Sequence, residues 1–224
     1  MESTMSETSR RGSSDVWLTA AYEALLENGV DAVKIQPLAK SLGLSRTSFY
    51  WFFADREELL AALVSLWRQK NTGGVLKQAE AYAETIVEAV LNVFDCWLNR
   101  DLFDSPFEFA MRSWSLQSAE ILAEVQRADQ LRITALTQMF RRFGYTETAS
   151  DVHARAIYLV QIGYISMQTR EDGPSRMERI KDYVSIFTGH TPQPRDLDRF
   201  FARHRHACQA APTTAAREPS AAAP

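Results

Sequence analysis

Between residues 35 and 54 the chain places a small residue at Ala39, a glycine four positions later at Gly43, and apolar residues at Leu38, Leu42, Leu44, Phe49 and Phe52. No other stretch constrains the fold so tightly. Two helices joined by a short turn need a small side chain where they touch. They also need a turn residue that accepts positive φ, which glycine does without steric cost. The apolar positions pin both helices to a third, and Ser45 stands where it can cap the second helix. Seven restricted positions at fixed offsets predict a helix-turn-helix over about 34–53.

With Phe49 and Phe52 turned inward, Arg46, Thr47, Ser48, Tyr50 and Trp51 are expected to face outward. Such a helix sets its first residues against base edges in the major groove. Arg46 can reach guanine O6/N7 or a phosphate, and Thr47 and Ser48 can hydrogen-bond either. Tyr50 and Trp51 can lie on the sugar-phosphate wall or a thymine methyl. Gln36 opens the preceding helix and Arg56 the following one, so the candidate DNA-binding set is Gln36, Ser45, Arg46, Thr47, Ser48, Tyr50, Trp51 and Arg56. A plain helical hairpin with a solvated face is the bland alternative, but it would spend two adjacent aromatics on solvent. The overall charge of −3 excludes a general nucleic-acid coat, whereas residues 34–56 carry Lys34, Lys40, Arg46 and Arg56 against Asp55 alone. A concentrated patch suffices for a sequence-specific binder.

Apolar residues recur at helical spacing almost throughout, so the expected class is all-α. A first helix opens at Asp15, with Val16, Ala20, Leu25 and Leu26 on one side, and stops near Asn28–Gly29. A fourth begins at Asp55, with Glu58 completing a capping box, and runs to about Asn71. Thr72-Gly73-Gly74 is read as its end and as a domain boundary. Further helices are expected over about 76–98, from Asp104-Ser105-Pro106, over 119–143, 148–170 and 176–188, and briefly over 197–205. The predicted organisation is a disordered leader (1–10), a three-helix DNA-binding domain (11–71), a helical ligand-binding and dimerisation domain (72–190), and a tail (191–224) largely disordered after 207.

The run from Gly29 to Leu60, GVDAVKIQPLAKSLGLSRTSFYWFFADREELL, closely resembles the DNA-binding domain of the tetracycline-repressor (TetR) family. Its most diagnostic part is Gly43 to Leu60. The resemblance is sharp over about 11–71 and only architectural beyond. It implies a homodimer on a palindromic operator, with a helical C-terminal domain that senses a small molecule and releases DNA; most such proteins are repressors. It also implies backbone contact at Arg56, where the family has lysine. Two departures stand out: Lys34 and Pro37 occupy the places of the family's capping pair, and Trp51 replaces a usual His or Tyr.

In 152–170 apolar residues lie nearly all round the helix, and a helix apolar on every face must be covered on every face. A second subunit is the expected cover, with the 176–188 helix beside it in an intersubunit four-helix bundle; burial within one chain is the alternative. Phe107, Met111 and Trp114 share one face at i, i+4 and i+7, and Phe94 and Trp97 sit on the preceding helix. With Tyr158, Gln161 and Tyr164 as polar contributors they form a candidate ligand pocket, although such a stripe also describes plain core. Arg112 is read as a surface partner of Glu108, and the Asp129–Arg132 pair as structural. Two cysteines, Cys96 and Cys208, and four histidines show no metal spacing, and no nucleophile–base pair or phosphate loop appears. No cofactor, metal or catalysis is expected, nor any membrane partner, since no apolar run approaches the roughly 20 residues of a span. The expectation is a cytoplasmic, ligand-released repressor. An activator or ligand-independent regulator of the same fold, or a helical interaction protein without DNA binding, are the alternatives.

Overall fold

A computed structural model describes residues 12–205. The expected leader (1–10), the tail beyond 205, Cys208 and His206 lie outside the described residues. Among these residues the protein is all-helical, as the periodicity required. The helices are α1 (Ser14–Asn28), α2 (Ile35–Leu42), α3 (Arg46–Phe49), α4 (Arg56–Trp67), α5 (Gly73–Glu80) and α6 (Ile86–Leu98). They continue as α7 (Ser105–Ser115), α8 (Ala119–Arg142), α9 (Glu147–Ser166), α10 (Gly173–Glu178), α11 (Ile180–Thr188) and α12 (Pro194–Arg203).

Local chemistry sets most of the helix starts. Ser13, Asp55, Thr85, Asp104, Ser118 and Thr146 each accept a hydrogen bond from the backbone N–H three residues on, satisfying a donor that the helix itself leaves free. At α4 the Glu58 carboxylate accepts from the Ala54 N–H at 2.5 Å, one residue earlier than a standard capping box.

Several helix boundaries differ from expectation: α9 ends at Ser166 and not near 170, the expected 176–188 helix is divided at Arg179 into α10 and α11, and two further differences have clear causes. The break at 72–74 is absent: α4 passes through a π-helical turn, Arg68–Thr72, into α5, and Gly73 keeps helical dihedrals (φ −57°, ψ −39°). Gly74 serves close approach instead, for a Cβ there would lie 1.9 Å from the Leu102 carbonyl oxygen. The expected 76–98 helix is in fact two. Ala81 turns extended, and Thr85 starts α6 with Glu88 accepting from the Glu84 N–H at 2.8 Å. That Thr-x-x-Glu signature was present in the sequence.

Two apolar cores form. One joins α5, α6, α8, α9, α11 and α12. The other gathers Trp17, Leu25, Phe49, Leu59, Leu63 and Trp67 around the helix-turn-helix, and it extends to Phe107, Met111, Ile121 and Val125 of α7 and α8. On α1 Ala20 and Leu25 are buried as expected, but Trp17 and Ala21 complete the inward face and Val16 is exposed.

A buried polar cluster links the two halves. Glu108 and Arg132 are both fully buried and meet at 2.8 Å. Glu108 also accepts from Trp67 Nε1 (2.8 Å) and Asn71 Nδ2 (3.0 Å), and Arg132 Nε donates to Thr72 Oγ1 (3.1 Å). Tyr158 receives an Arg132 N–H at 2.9 Å and donates to Asp129 at 2.6 Å. Arg112 bridges Glu108 and Asp129. The Glu108–Arg112 pair is therefore not a surface pair. Burial pushes the Glu108 carboxyl up, but Arg132, Arg112 and the hydrogen bonds outweigh it and hold its pKa down at about 2.

Candidate nucleic-acid interface and internal cavity

The turn between α2 and α3 has the expected geometry. Gly43 is left-handed (φ 64°, ψ 26°), its N–H bonds the Lys40 carbonyl, and the Leu44 N–H returns to the Ala39 carbonyl at 2.9 Å. Nothing crowds a Cβ at Gly43, so glycine is needed there for its dihedrals and not for space. Ser45 caps α3 by accepting from the Ser48 N–H at 3.2 Å, while Lys34 provides no side-chain cap for α2. Phe49 is fully buried, edge-on to Trp17 at 5.2 Å and stacked on Phe53 at 5.5 Å. Phe53 takes the deeper position, and Phe52 is only partly buried against the same core.

This anchoring leaves Arg46 and Thr47 exposed on one turn of helix, with Tyr50 51% and Trp51 64% exposed just beyond it. Gln36 and Ser45 are exposed nearby. Two candidates stand elsewhere. Ser48 is buried and its hydroxyl donates back to the Ser45 carbonyl at 2.7 Å, so it faces its own helix turn and not a groove. Arg56 is half-buried: its Nε donates to the Val33 carbonyl (2.6 Å) and its Nη2 to the Val30 carbonyl (2.9 Å). It clasps the 3-10 turn Val30–Ala32 to the start of α4. Arg56 is thus tied into the fold where sequence reading had a free phosphate clamp.

The candidate pocket residues divide. Phe94, Trp97 and Gln161 line a narrow cavity between α6, α9, α10 and α11, bordered also by Ile180 and Phe187. Phe107, Met111 and Trp114 are absent from it. Their stripe faces α1 and α4, with Phe107 edge-on to Tyr22 at 5.0 Å, and forms the seam between the halves. Tyr158 belongs to the ion-pair cluster. Sequence reading missed Arg176, which reaches the cavity and donates from Nη2 to Gln161 Oε1 at 3.2 Å. No local pattern could have found it, because the two residues meet only when α10 folds onto α9. Tyr164 and Tyr183 share a 2.8 Å hydrogen bond at the same wall.

On the outer side of α9, Val152, Leu159 and Met167 are 57%, 57% and 79% exposed, and Ile186 of α11 is 70% exposed. Cys96 is a buried core thiol, pushed up to about 12 by desolvation. Among the described residues no group of His, Cys, Asp or Glu could hold a metal, and no helix is long and apolar enough to cross a membrane.

Comparison with known proteins agrees with this geometry. The family model described as "Bacterial regulatory proteins, tetR family" matches residues 18–63. No curated protein matches the chain. Among solved structures, a protein assigned as a TetR-family transcriptional regulator from Mesorhizobium loti is similar in fold, with a TM-score of 0.54 at 13% identity over 88% of this chain and 97% of that one. The TetR family repressor AlkX from Dietzia sp. aligns with 89% of this chain and 99% of its own, at 17% identity and a TM-score of 0.42. Residues 18–63 thus form a DNA-binding domain of the tetR type, set by the helix-turn-helix around Gly43, within an all-helical fold similar to that of the Mesorhizobium loti protein.

Proposed function

We propose that the protein is a homodimeric repressor that binds a palindromic operator and is released from it by a small molecule. The observation that carries this reading is the division of α3: Phe49 and Ser48 are turned inward and Arg46, Thr47, Tyr50 and Trp51 outward. Arg46 and Thr47 are at the first turn of the helix, where side chains meet base edges. Gln36, Ser45 and the two aromatics flank them for phosphate and sugar contact. Ser48 acts through the cap of α3, and Arg56 through the 3-10 turn that sets α2 against α4.

Dimerisation through α9 and α11 follows from their uncovered apolar residues, Val152, Leu159, Met167 and Ile186, which lie along the outer surface of the two helices. The boundary between the DNA-binding and effector units is drawn at about residue 72, inside the continuous α4–α5 path, so a shift of α5 carries directly to the reading head. The cavity beside α9 is the effector site.

Selection of bound DNA from a random pool tests the reading. An inverted repeat bound by two copies is expected, with Arg46→Ala weakening specific binding at least tenfold, consistent with about 1–3 kcal/mol for a base contact. Failure to enrich any sequence, or an Arg46→Ala affinity equal to wild type, would overturn it.

A further inference from the structure

The cavity beside α9 contains a guanidinium to which the described residues supply no carboxylate. Arg179, three residues on, pairs with Glu171. Arg176 forms no ion pair with a carboxylate among the described residues; its one hydrogen bond goes to the neutral oxygen of Gln161, and its guanidinium stands 5.8 Å from the Tyr164 ring. Desolvation lowers its pKa, with only the phenols of Tyr164 and Tyr183 opposing. Gln161 is itself 7% exposed, and its amide N–H2 makes no hydrogen bond among the described residues. The half-buried cation and the amide donor beside it are both open to an incoming anion.

The surroundings define the kind of anion. Phe94, Trp97, Ile180 and Phe187 give the narrow cavity apolar and largely aromatic walls. Arg176, Gln161 and Tyr164 also border a wider adjoining groove that reaches Leu26 of α1 and Pro106 of α7. The polar groups thus stand at the junction of an apolar chamber and an open approach. A guanidinium forks onto a carboxylate through two parallel N–H bonds, and an amide N–H2 can add a third. One cation balances one charge. A dianion would bring uncompensated charge into the chamber, a cation would be repelled, and a neutral body would bury the guanidinium without a partner.

We infer that this cavity and the groove it opens into take an amphipathic monoanion, a carboxylate on an aromatic or alkyl body, with Arg176 and Gln161 holding the carboxylate at their junction and the body lying along the apolar walls of the two. The inference rests on the reading of this cavity as the effector site and names the class of effector.

Calorimetric titration of the full-length protein with two acid–amide pairs tests it: 1-naphthylacetate against 1-naphthylacetamide, and decanoate against decanamide. Each carboxylate should bind at least tenfold tighter than its amide. Arg176→Gln should erase that preference while leaving amide affinity in place, and Arg176→Lys, which keeps the charge without the fork, should retain part of it. Equal affinity for acid and amide, a preference that survives Arg176→Gln, or no binding by any of the four compounds would overturn the inference. Circular dichroism of both variants establishes that they are folded, and Arg176→Lys carries the test if Arg176→Gln is not. The same compounds added to the protein–operator complex separate the two readings. Arg176-dependent acid binding without DNA release keeps the anion site and removes the ligand-released repressor. Release by amides as readily as by acids does the reverse.

Discussion

Arg132 of α8 and Arg176 of α10 both hydrogen-bond to side chains of α9, yet their surroundings are opposite. Arg132 is fully buried among Glu108, Tyr158 and Thr72, with the rings of Trp67 and Phe103 within 5.1 and 5.5 Å of its guanidinium carbon. Arg176 is half-buried, and Gln161 is its only hydrogen-bond partner among the described residues. A charge that the chain surrounds with a carboxylate and hydrogen bonds is committed to the fold. One that the chain desolvates without a carboxylate remains available to a ligand. The first kind joins Trp67, Asn71 and Thr72 to α7 and α8, and so fixes how the DNA-binding half is held.

The comparison breaks most readily at Arg132. Replacing it with Met breaks a fully buried ion pair, leaving Glu108 with Arg112 as its remaining cation and Thr72 and Tyr158 without their donor, and a loss of about 3–5 kcal/mol of stability is expected by chemical denaturation. Combining Arg132→Met with Glu108→Leu should recover much of that loss, since the pair is then absent together. A single variant as stable as the wild type would mean that the cluster does not hold the halves together.

Acid should act on the same cluster. Glu108 has its carboxyl held at about 2 in the folded protein against an ordinary 4.5. A depressed pKa of this kind contributes stability that is complete above the unfolded value and is lost as pH falls toward the folded one. The wild type is therefore expected to lose stability between about pH 4.5 and pH 2. In Glu108→Gln that slope should flatten, as read from denaturation midpoints across the range. An unchanged slope would place the acid-sensitive charge elsewhere.

Arg176 should give the smallest effect on stability. Arg176→Gln removes no ion pair, and a change within about 0.5 kcal/mol is expected from the denaturation midpoint. A loss approaching that of Arg132→Met would show Arg176 to be structural and erase the contrast.

The reach of sequence reasoning follows the range of the forces involved. Gly43 at a left-handed turn, Ser45 and Asp55 as caps, and Asp104 opening α7 were legible because each satisfies backbone groups within four residues of itself. The helical class was legible because apolar spacing repeats locally. Ser48 and Arg56 were misplaced for a related reason. The sequence offers them as outward polar groups, but the folded backbone presents carbonyls at Ser45, Val30 and Val33 that take their donors.

The sequence by itself determined an all-helical chain with a DNA-reading turn between Ala39 and Phe49, because dihedral preference, capping and periodicity are properties of short segments. Only the tertiary structure decided that the helix runs on through Gly73 and Gly74, that Phe107 and Met111 join the halves and do not line a cavity, and which arginine is paired. Those outcomes depend on groups brought together from distant parts of the chain, as with Glu108 and Arg132 or Gln161 and Arg176. The free energy of a buried charge is set by neighbours that the local pattern does not contain.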